Sequence, residues 1–151
     1  MREALIEMSP QAIGLPDLAP YLSVRKEQVR EWSLDRSPIS QKTLEMLRRL
    51  GDWRLGLVTS AERANVEPVL SGANIRDSFE ACVFSGDVTR HKPAPDPYLA
   101  IAARMSVATG IAFEDSDAGI ASARAAGFRA IRVDDPESLP GAVSKIIRPI
   151  P

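Results

Sequence analysis

An acidic pair, Glu114 and Asp115, directly follows the apolar residues 111–113. Acidic side chains at the end of a buried strand are costly to bury unless they are paired or bind a metal. Two hard oxygen donors, with room for water and a phosphate oxygen, suit Mg²⁺, which takes one or two carboxylates plus substrate. The alternative is an acidic helix start, in which Ser116 or Asp117 is the N-cap and the pair faces the positive helix end. We assign the cap to Asp117 and the metal site to Glu114 and Asp115.

Two further segments carry side chains suited to a phosphate. Thr59 and Ser60 end an apolar run before a predicted helix, and hydroxyls with backbone N–H groups at a helix N-terminus bind phosphate. The same residue types are common N-caps, so this signal is weak by itself. Lys92 precedes prolines that hold the backbone extended and so fix the direction of its side chain. Most lysines are solvated surface residues, but this rigid loop favours a lysine that neutralises a phosphate or a carboxylate. The adjacent His91, the only histidine, is interpreted as a loop residue.

The elements that position these residues alternate between strand and helix after Pro38. The predicted strands are 54–58, 80–85, 110–113 and 128–133, and the predicted helices are 40–51, from about 61, 96–106 and 117–127. Ser40 and Asp96 are the expected N-caps, with Pro97 at the first helical position, and the second helix is expected to break or kink at Pro68. Strands this apolar imply a parallel sheet with helices on both faces, which binds ligands at the carboxyl ends of its strands.

The composition excludes several classes of protein. The chain has 151 residues, 44% of them hydrophobic, and a net charge of −1, with basic and acidic residues interleaved. No basic cluster indicates nucleic-acid binding, no apolar run approaches the roughly 18 residues of a membrane span, and the N-terminus lacks the apolar centre of a signal peptide. The single cysteine, Cys82, lies in an apolar run, which predicts buried packing and a reducing, cytoplasmic compartment.

The hydroxyl, the lysine and the acid pair occur in this order at successive strand ends, and the segments around them resemble a known family. LGLVTS, HKPAPDPYLAIA and FEDSDAGIASARAAGF are similar to the second, third and fourth motifs of the haloacid dehalogenase-like (HAD) hydrolase superfamily. The similarity is greatest to its phosphoglycolate phosphatase and β-phosphoglucomutase branch. The resemblance implies a Rossmann-like α/β core. It also implies that Thr59 binds the transferring phosphoryl group, that Lys92 steadies this group and the nucleophile, and that Glu114 and Asp115 hold Mg²⁺.

The family's first motif is not found in the sequence. The resemblance implies an apolar first strand ending in D-x-D, whose first aspartate is the nucleophile and whose second is the general acid and base. Asp17 and Asp35 follow no apolar strand, and Asp115-Ser116-Asp117 already belongs to the fourth motif. We therefore expect the chain to be N-terminally incomplete.

Two domain segments follow from this expectation. Residues 1–38 resemble the second half of a helical cap, and residues 39–151 form the HAD-like core without its first strand. Because that strand is central in the family's sheet, its loss exposes sheet edges through which copies of the chain could self-associate.

Two functions remain open from the sequence. The favoured one is a Mg²⁺-dependent phosphatase, or a related phosphomutase, that acts on a small phosphomonoester through an aspartyl phosphate. We expect the chain to be inactive alone, because it lacks the nucleophilic aspartate. The alternative is a non-catalytic protein that keeps the phosphate and Mg²⁺ cradle for binding or assembly. The expected partner is a small phosphorylated metabolite, which the sequence does not name, and neither a nucleic acid nor a membrane is expected.

Overall fold

A computed structural model describes residues 39–147 of the chain, in which short parallel strands alternate with helices. The predicted cap segment, residues 1–38, and the last four residues lie outside this range. The strands are β1 Gly56–Val58, β2 Ala81–Val83, β3 Ile111–Glu114 and β4 Arg129–Arg132. The α-helices are α1 Gln41–Arg49, α2 Arg63–Gly72, α3 Asp96–Met105, α4 Asp117–Ala125 and α5 Leu139–Ile146. Short 3₁₀ helices lie at Arg76–Ser78, Ser85–Asp87 and Pro136–Ser138.

The strands form two parallel pairs. β1 pairs with β2, with Leu57 opposite Cys82, and β3 pairs with β4, with Phe113 opposite Ile131. Between residues 39 and 147 the ladders join β1 only to β2 and β3 only to β4. The four strands predicted from the sequence are therefore present, but the described residues divide them between two sheets.

Both strand pairs contribute to the same two apolar layers. Leu57 and Phe113 join a buried cluster with residues of α1, α2 and α5, whereas Val58 and Ala112 join a second cluster with residues of α3 and α4. Successive residues of a strand point to opposite faces, so the helices cover the two pairs from both sides. This arrangement confirms the predicted α/β class. Cys82 is buried in the first cluster, as expected. Every helix within the described residues is too short or too polar to cross a lipid bilayer.

Of the two outcomes predicted at Pro68, a break or a kink, the break does not occur. The helix continues through this residue to Gly72. Pro68 and Ala64, whose carbonyl loses its helical N–H donor, both lie on the exposed side of α2, where water can bind that carbonyl. The helix α5 was not predicted, although Leu139 and Val143 bury one of its faces.

The N-cap of α1 agrees with the prediction, whereas those of α3 and α4 lie one residue earlier than predicted. Ser40 is the N-cap of α1, as predicted, and its hydroxyl accepts the Thr43 N–H at 3.2 Å. Asp96 is not a cap, because α3 begins at this residue and Pro95 occupies the cap position, which moves Pro97 to the second helical position. The N-cap of α4 is Ser116, one residue before Asp117, because the Ser116 hydroxyl accepts a backbone N–H of the first helical turn.

Arg104 of α3 covers the edge of β2 that faces away from β1. The Val83 carbonyl accepts the Thr59 N–H at 2.9 Å, and because successive carbonyls of a strand alternate in direction, the Cys82 carbonyl points away from β1. Arg104 donates to the Cys82 carbonyl and pairs with Asp87 at 2.8 Å. A charged side chain thus closes this edge, which discourages pairing with another strand.

We expect Arg104→Met to lower the free energy of unfolding by about 1–3 kcal/mol, because the Cys82 carbonyl and Asp87 lose a charged donor. The matched control is Arg124→Met, which removes an exposed arginine from the last turn of α4 and should cost less than about 0.5 kcal/mol. Urea unfolding of both variants measures the difference. Equal losses would show that Arg104 has no specific role at this edge.

Candidate functional site

The centre of the candidate site is the carboxylate of Glu114, the last residue of β3. Its side chain is fully buried, with 0% exposure. The carboxylate lies against the first turn of α4, where a Cβ built on Gly119 would overlap all three of its atoms. The positive end of a helix favours a negative charge at this position. The end of strand β3 and the first turn of helix α4 therefore together determine the position of the Glu114 carboxylate.

The two oxygens of this carboxylate have different surroundings. Oε1 lies 2.8 Å from the Lys92 ammonium nitrogen and accepts a hydrogen bond from the Tyr98 hydroxyl, also at 2.8 Å. The Lys92 side chain is only 8% exposed, and Tyr98 is fully buried. Oε2 is buried as well, but it has no hydrogen-bond partner within the described part of the chain. Both side-chain donors thus contact the same oxygen, and the Asp115 N–H is a further donor that lowers the pKa of this carboxyl group against the effect of burial.

The loop that carries Lys92 is fixed by hydrogen bonds at Ala94, two residues further along the chain. The buried Ser122 hydroxyl of α4 donates to the Ala94 carbonyl at 2.6 Å, and the Ala94 N–H donates to the His91 carbonyl at 2.9 Å. His91 itself is exposed, which agrees with its interpretation as a loop residue. The same helix therefore positions both the Glu114 carboxylate and the loop from which Lys92 reaches it.

Thr59 and Ser60 lie at the carboxyl end of β1, in the other strand pair. Thr59 is buried, and its Oγ1 accepts the Ala61 N–H at 3.1 Å, whereas Ser60 is exposed. Helix α2 begins at Arg63, and the cap position is Glu62, so neither hydroxyl residue is its N-cap. The helix-cap alternative for these two residues is thus not observed.

The charges around Glu114 do not balance. Burial raises the pKa of Glu114 to about 9, and the negative charge of Asp115 adds to this rise. Burial also lowers the pKa of Lys92 to about 7, against the opposing effect of Asp115. Asp115 is half-buried, and its negative charge adds to the rise that burial causes in the pKa of Tyr98, so this charge acts on all three groups. Two carboxylates and one ammonium leave one negative charge in excess, which a proton or a cation can neutralise.

The residues present fit a hard cation such as Mg²⁺. The fit rests on the buried Glu114 Oε2 that lacks a partner and on the excess negative charge contributed by Asp115. Asp117 does not complete the site, because its side chain is fully exposed and pairs with Arg132 at 2.6 Å. Within residues 39–147, no three acidic, histidine or cysteine side chains are grouped to hold a metal. A cation bound to Glu114 and Asp115 would therefore need further ligands from water, a phosphate or another segment.

Sequence reasoning missed Tyr98, Gly119 and Ser122. A glycine inside a helix costs stability relative to alanine, and its presence in α4 was an available signal for a packing requirement. Tyr98 and Ser122 carried no such signal, since a tyrosine or a serine within a helix fits an ordinary packing role equally well.

Known proteins resemble this chain in sequence and in fold. A family model described as haloacid dehalogenase-like hydrolase matches residues 3–133. The fructose-1-phosphate phosphatase YqaB of Escherichia coli is 37% identical over 139 residues, which cover 87% of this chain and 69% of the relative. Hexitol phosphatase B of Escherichia coli is 36% identical over 86 residues, which cover 56% of this chain and 39% of the relative. A proposed β-phosphoglucomutase of Thermotoga maritima superposes with a TM-score of 0.71 at 17% identity, covering 97% of this chain and 100% of the other. The resemblance and fold predicted from the sequence are confirmed.

The Lys92–Glu114 pair should make the stability of the metal-free chain depend on pH. Between about pH 7 and 9 the folded pair holds one proton, as the two side chains do in the unfolded chain. Below pH 7 the folded pair gains a second proton, which the unfolded chain takes up only near pH 4.5. The pair's contribution to the free energy of unfolding therefore rises as pH falls from 7 towards 4.5, by at most about 1.4 kcal/mol per pH unit.

The variant Lys92→Met/Glu114→Gln removes both titrating groups and should lack this contribution. Urea unfolding of parent and variant at several pH values, with divalent metal removed, gives the difference between their slopes. Identical slopes below pH 7 would contradict the assigned shifts.

Proposed function

Because the chain belongs to the haloacid dehalogenase-like hydrolase family, we propose that its protein is a Mg²⁺-dependent phosphatase that acts on small phosphorylated carbohydrates. The observation that carries the proposal is the buried contact of Lys92 with Glu114 beside Asp115. A buried ammonium next to two carboxylates is costly to maintain without a ligand of complementary charge. A divalent cation supplies positive charge beside the two carboxylates, and a phosphate supplies negative charge beside the ammonium.

Each predicted site residue has a role in this proposal. The Thr59 hydroxyl and Ser60, at the carboxyl end of β1, bind the phosphoryl group, and Lys92 neutralises its oxygens. Glu114 and Asp115 hold Mg²⁺, which when bound stabilises the charge that develops on the phosphoryl oxygens. The burial of Lys92 and Glu114 excludes water and strengthens these interactions.

The nucleophile is the part of the chemistry that the described residues do not supply. Transfer through an aspartyl phosphate needs a carboxylate in line with the leaving oxygen, and the 151 residues contain no D-x-D at the end of an apolar first strand. We infer that a strand carrying D-x-D precedes the present motifs in the functional protein and lies between β1 and β3. Two observations support this inference. Both strand pairs contribute to the same two apolar layers. Among residues 39–147, β1 and β3 each have a single ladder partner, so each can pair with one further strand.

The substrate class is inferred from the relatives. The names of two of them refer to fructose 1-phosphate and to hexitol. We extend the carbohydrate phosphate class to this protein. Residues 1–38, which lie outside the described range, are proposed as part of the cap that contacts the portion of the substrate that is not transferred.

Magnesium binding tests the metal assignment directly. We expect the chain to bind Mg²⁺ weakly in the presence of phosphate, and the double variant Glu114→Ala/Asp115→Ala to lose this binding. The matched control is Asp134→Ala/Asp135→Ala, an exposed acid pair shortly after β4, which should bind as the parent does. Titration calorimetry measures all three proteins. Equal Mg²⁺ affinity of the parent and the Glu114/Asp115 variant would remove the proposed site.

Restoring the inferred strand tests the fold and the chemistry together. We expect fusion of the first strand and half-cap of a related enzyme ahead of Met1 to raise the melting temperature and to give hydrolysis of fructose 1-phosphate. Lys92→Ala should lower the rate of this fusion by about 10²–10³-fold, because a preorganised charge is lost. The chain without the fusion should hydrolyse p-nitrophenyl phosphate no faster than its own Lys92→Ala variant.

The control is the same fusion with the first aspartate of its D-x-D changed to asparagine, which should keep the higher melting temperature without activity. A higher melting temperature without activity in the unmodified fusion would exclude Thr59, Lys92, Glu114 and Asp115 as a working catalytic set. No gain in either property would favour the non-catalytic alternative.

Sedimentation of the chain alone shows in addition whether copies associate through the unpaired strand edges.

A further inference from the structure

We propose that Gly119 and Tyr98 are positioning residues that hold the Glu114 carboxylate in one orientation, so that Oε2 is the oxygen offered to the cation. This inference rests on the proposed function, because it concerns the same metal site. It assigns two residues that neither hold the metal nor contact the phosphate in that proposal.

The glycine at position 119 is not required by the backbone. Its φ angle lies outside the left-handed region, and its N–H donates to the Ser116 hydroxyl at 3.0 Å as in an ordinary first helical turn. Alanine is a better helix former at such a position. The obstacle to a side chain is the Glu114 carboxylate, all three atoms of which a Cβ would overlap. Gly119 therefore provides the space in which this carboxylate lies.

The hydroxyl of Tyr98 is not required by the apolar packing. The ring is completely buried and lies 5.3 Å from the Phe128 ring, a contact that phenylalanine would make equally well. What the hydroxyl adds is a donor to Glu114 Oε1 at 2.8 Å, on the same oxygen that Lys92 contacts. Two donors on one oxygen fix the rotation of the carboxylate about its last bond.

The result of these contacts is a buried Oε2 atom without a hydrogen-bond partner among the described residues. Buried polar atoms are nearly always partnered, so an atom of this kind calls for an explanation. The space over Gly119 and the two donors on Oε1 account for its position, and a cation beside Asp115 accounts for its open coordination. Glu114 would then bind the metal through one oxygen while the other stays with Lys92 and Tyr98.

A double-mutant cycle tests the role of Gly119. We expect Gly119→Ala to lower the melting temperature of the parent chain and to weaken Mn²⁺ binding by at least about tenfold. In a Glu114→Ala background the carboxylate is gone, so the same change should leave the melting temperature unchanged or raise it. Gly141→Ala is the matched control, because this glycine of α5 has no atom within 4 Å of an added Cβ. The same loss for Gly119→Ala in both backgrounds would overturn the assignment.

The variant Tyr98→Phe tests the hydroxyl and keeps the fold. We expect Mn²⁺ affinity to fall by about tenfold, measured as free Mn²⁺ by electron paramagnetic resonance in the presence of phosphate. The second readout is the near-ultraviolet tyrosine difference spectrum on addition of Mg²⁺. A purely structural role of the Tyr98 hydroxyl would not produce this spectrum. The spectrum should appear in the parent and in Tyr21→Phe, the variant of the only other tyrosine, and be absent in Tyr98→Phe.

The outcomes separate this inference from the proposed function. A parent chain that binds no Mn²⁺ would overturn both, because Glu114 would then have no cation to face. A parent that binds Mn²⁺, with Tyr98→Phe binding equally well and giving the same difference spectrum, would overturn only the positioning role.

Discussion

The burial of the Glu114 carboxylate is the constraint on which the arrangement of the site depends. Removing a carboxylate from water costs several kcal/mol unless charge and hydrogen bonds compensate for it. The compensation comes from the Lys92 ammonium, the Tyr98 hydroxyl and the first turn of α4. These groups belong to a loop and two helices, and the carboxylate itself ends β3. Satisfying one acidic side chain therefore fixes the relative positions of four parts of the fold.

Much of the fold could be predicted because apolar runs and capping residues carry the signal locally. The order of the four strands, the N-cap at Ser40 and the polar residues at the strand ends all follow from such patterns. The errors have local causes as well. Pro68 is tolerated because its face of α2 is exposed, and the cap of α4 was misplaced because serine and aspartate are both good N-caps.

The contacts within the site were beyond sequence reasoning. The types of Lys92 and Glu114 indicated charge, but their direct contact depends on a loop fixed from α4 by Ser122. Gly119 illustrates the difference between a pattern and its cause. A helical glycine signals that a side chain is excluded there, yet only the structure identifies the Glu114 carboxylate as the group that excludes it.

The division of the strands into two pairs has a consequence for how the chain reaches its native state. β1, α2 and β2 form one strand–helix–strand unit, and β3, α4 and β4 form another, each built from contacts between neighbours in sequence. Each ladder joins residues 18 to 25 positions apart, so closing it costs less chain entropy than a closure across the whole chain. Helix α3 follows the first unit along the chain and contacts both its strands and α4 of the second. We expect the docking of these two units across α3 to come late in folding, and the Lys92–Glu114 contact, which joins the loop before α3 to β3, to form at that stage.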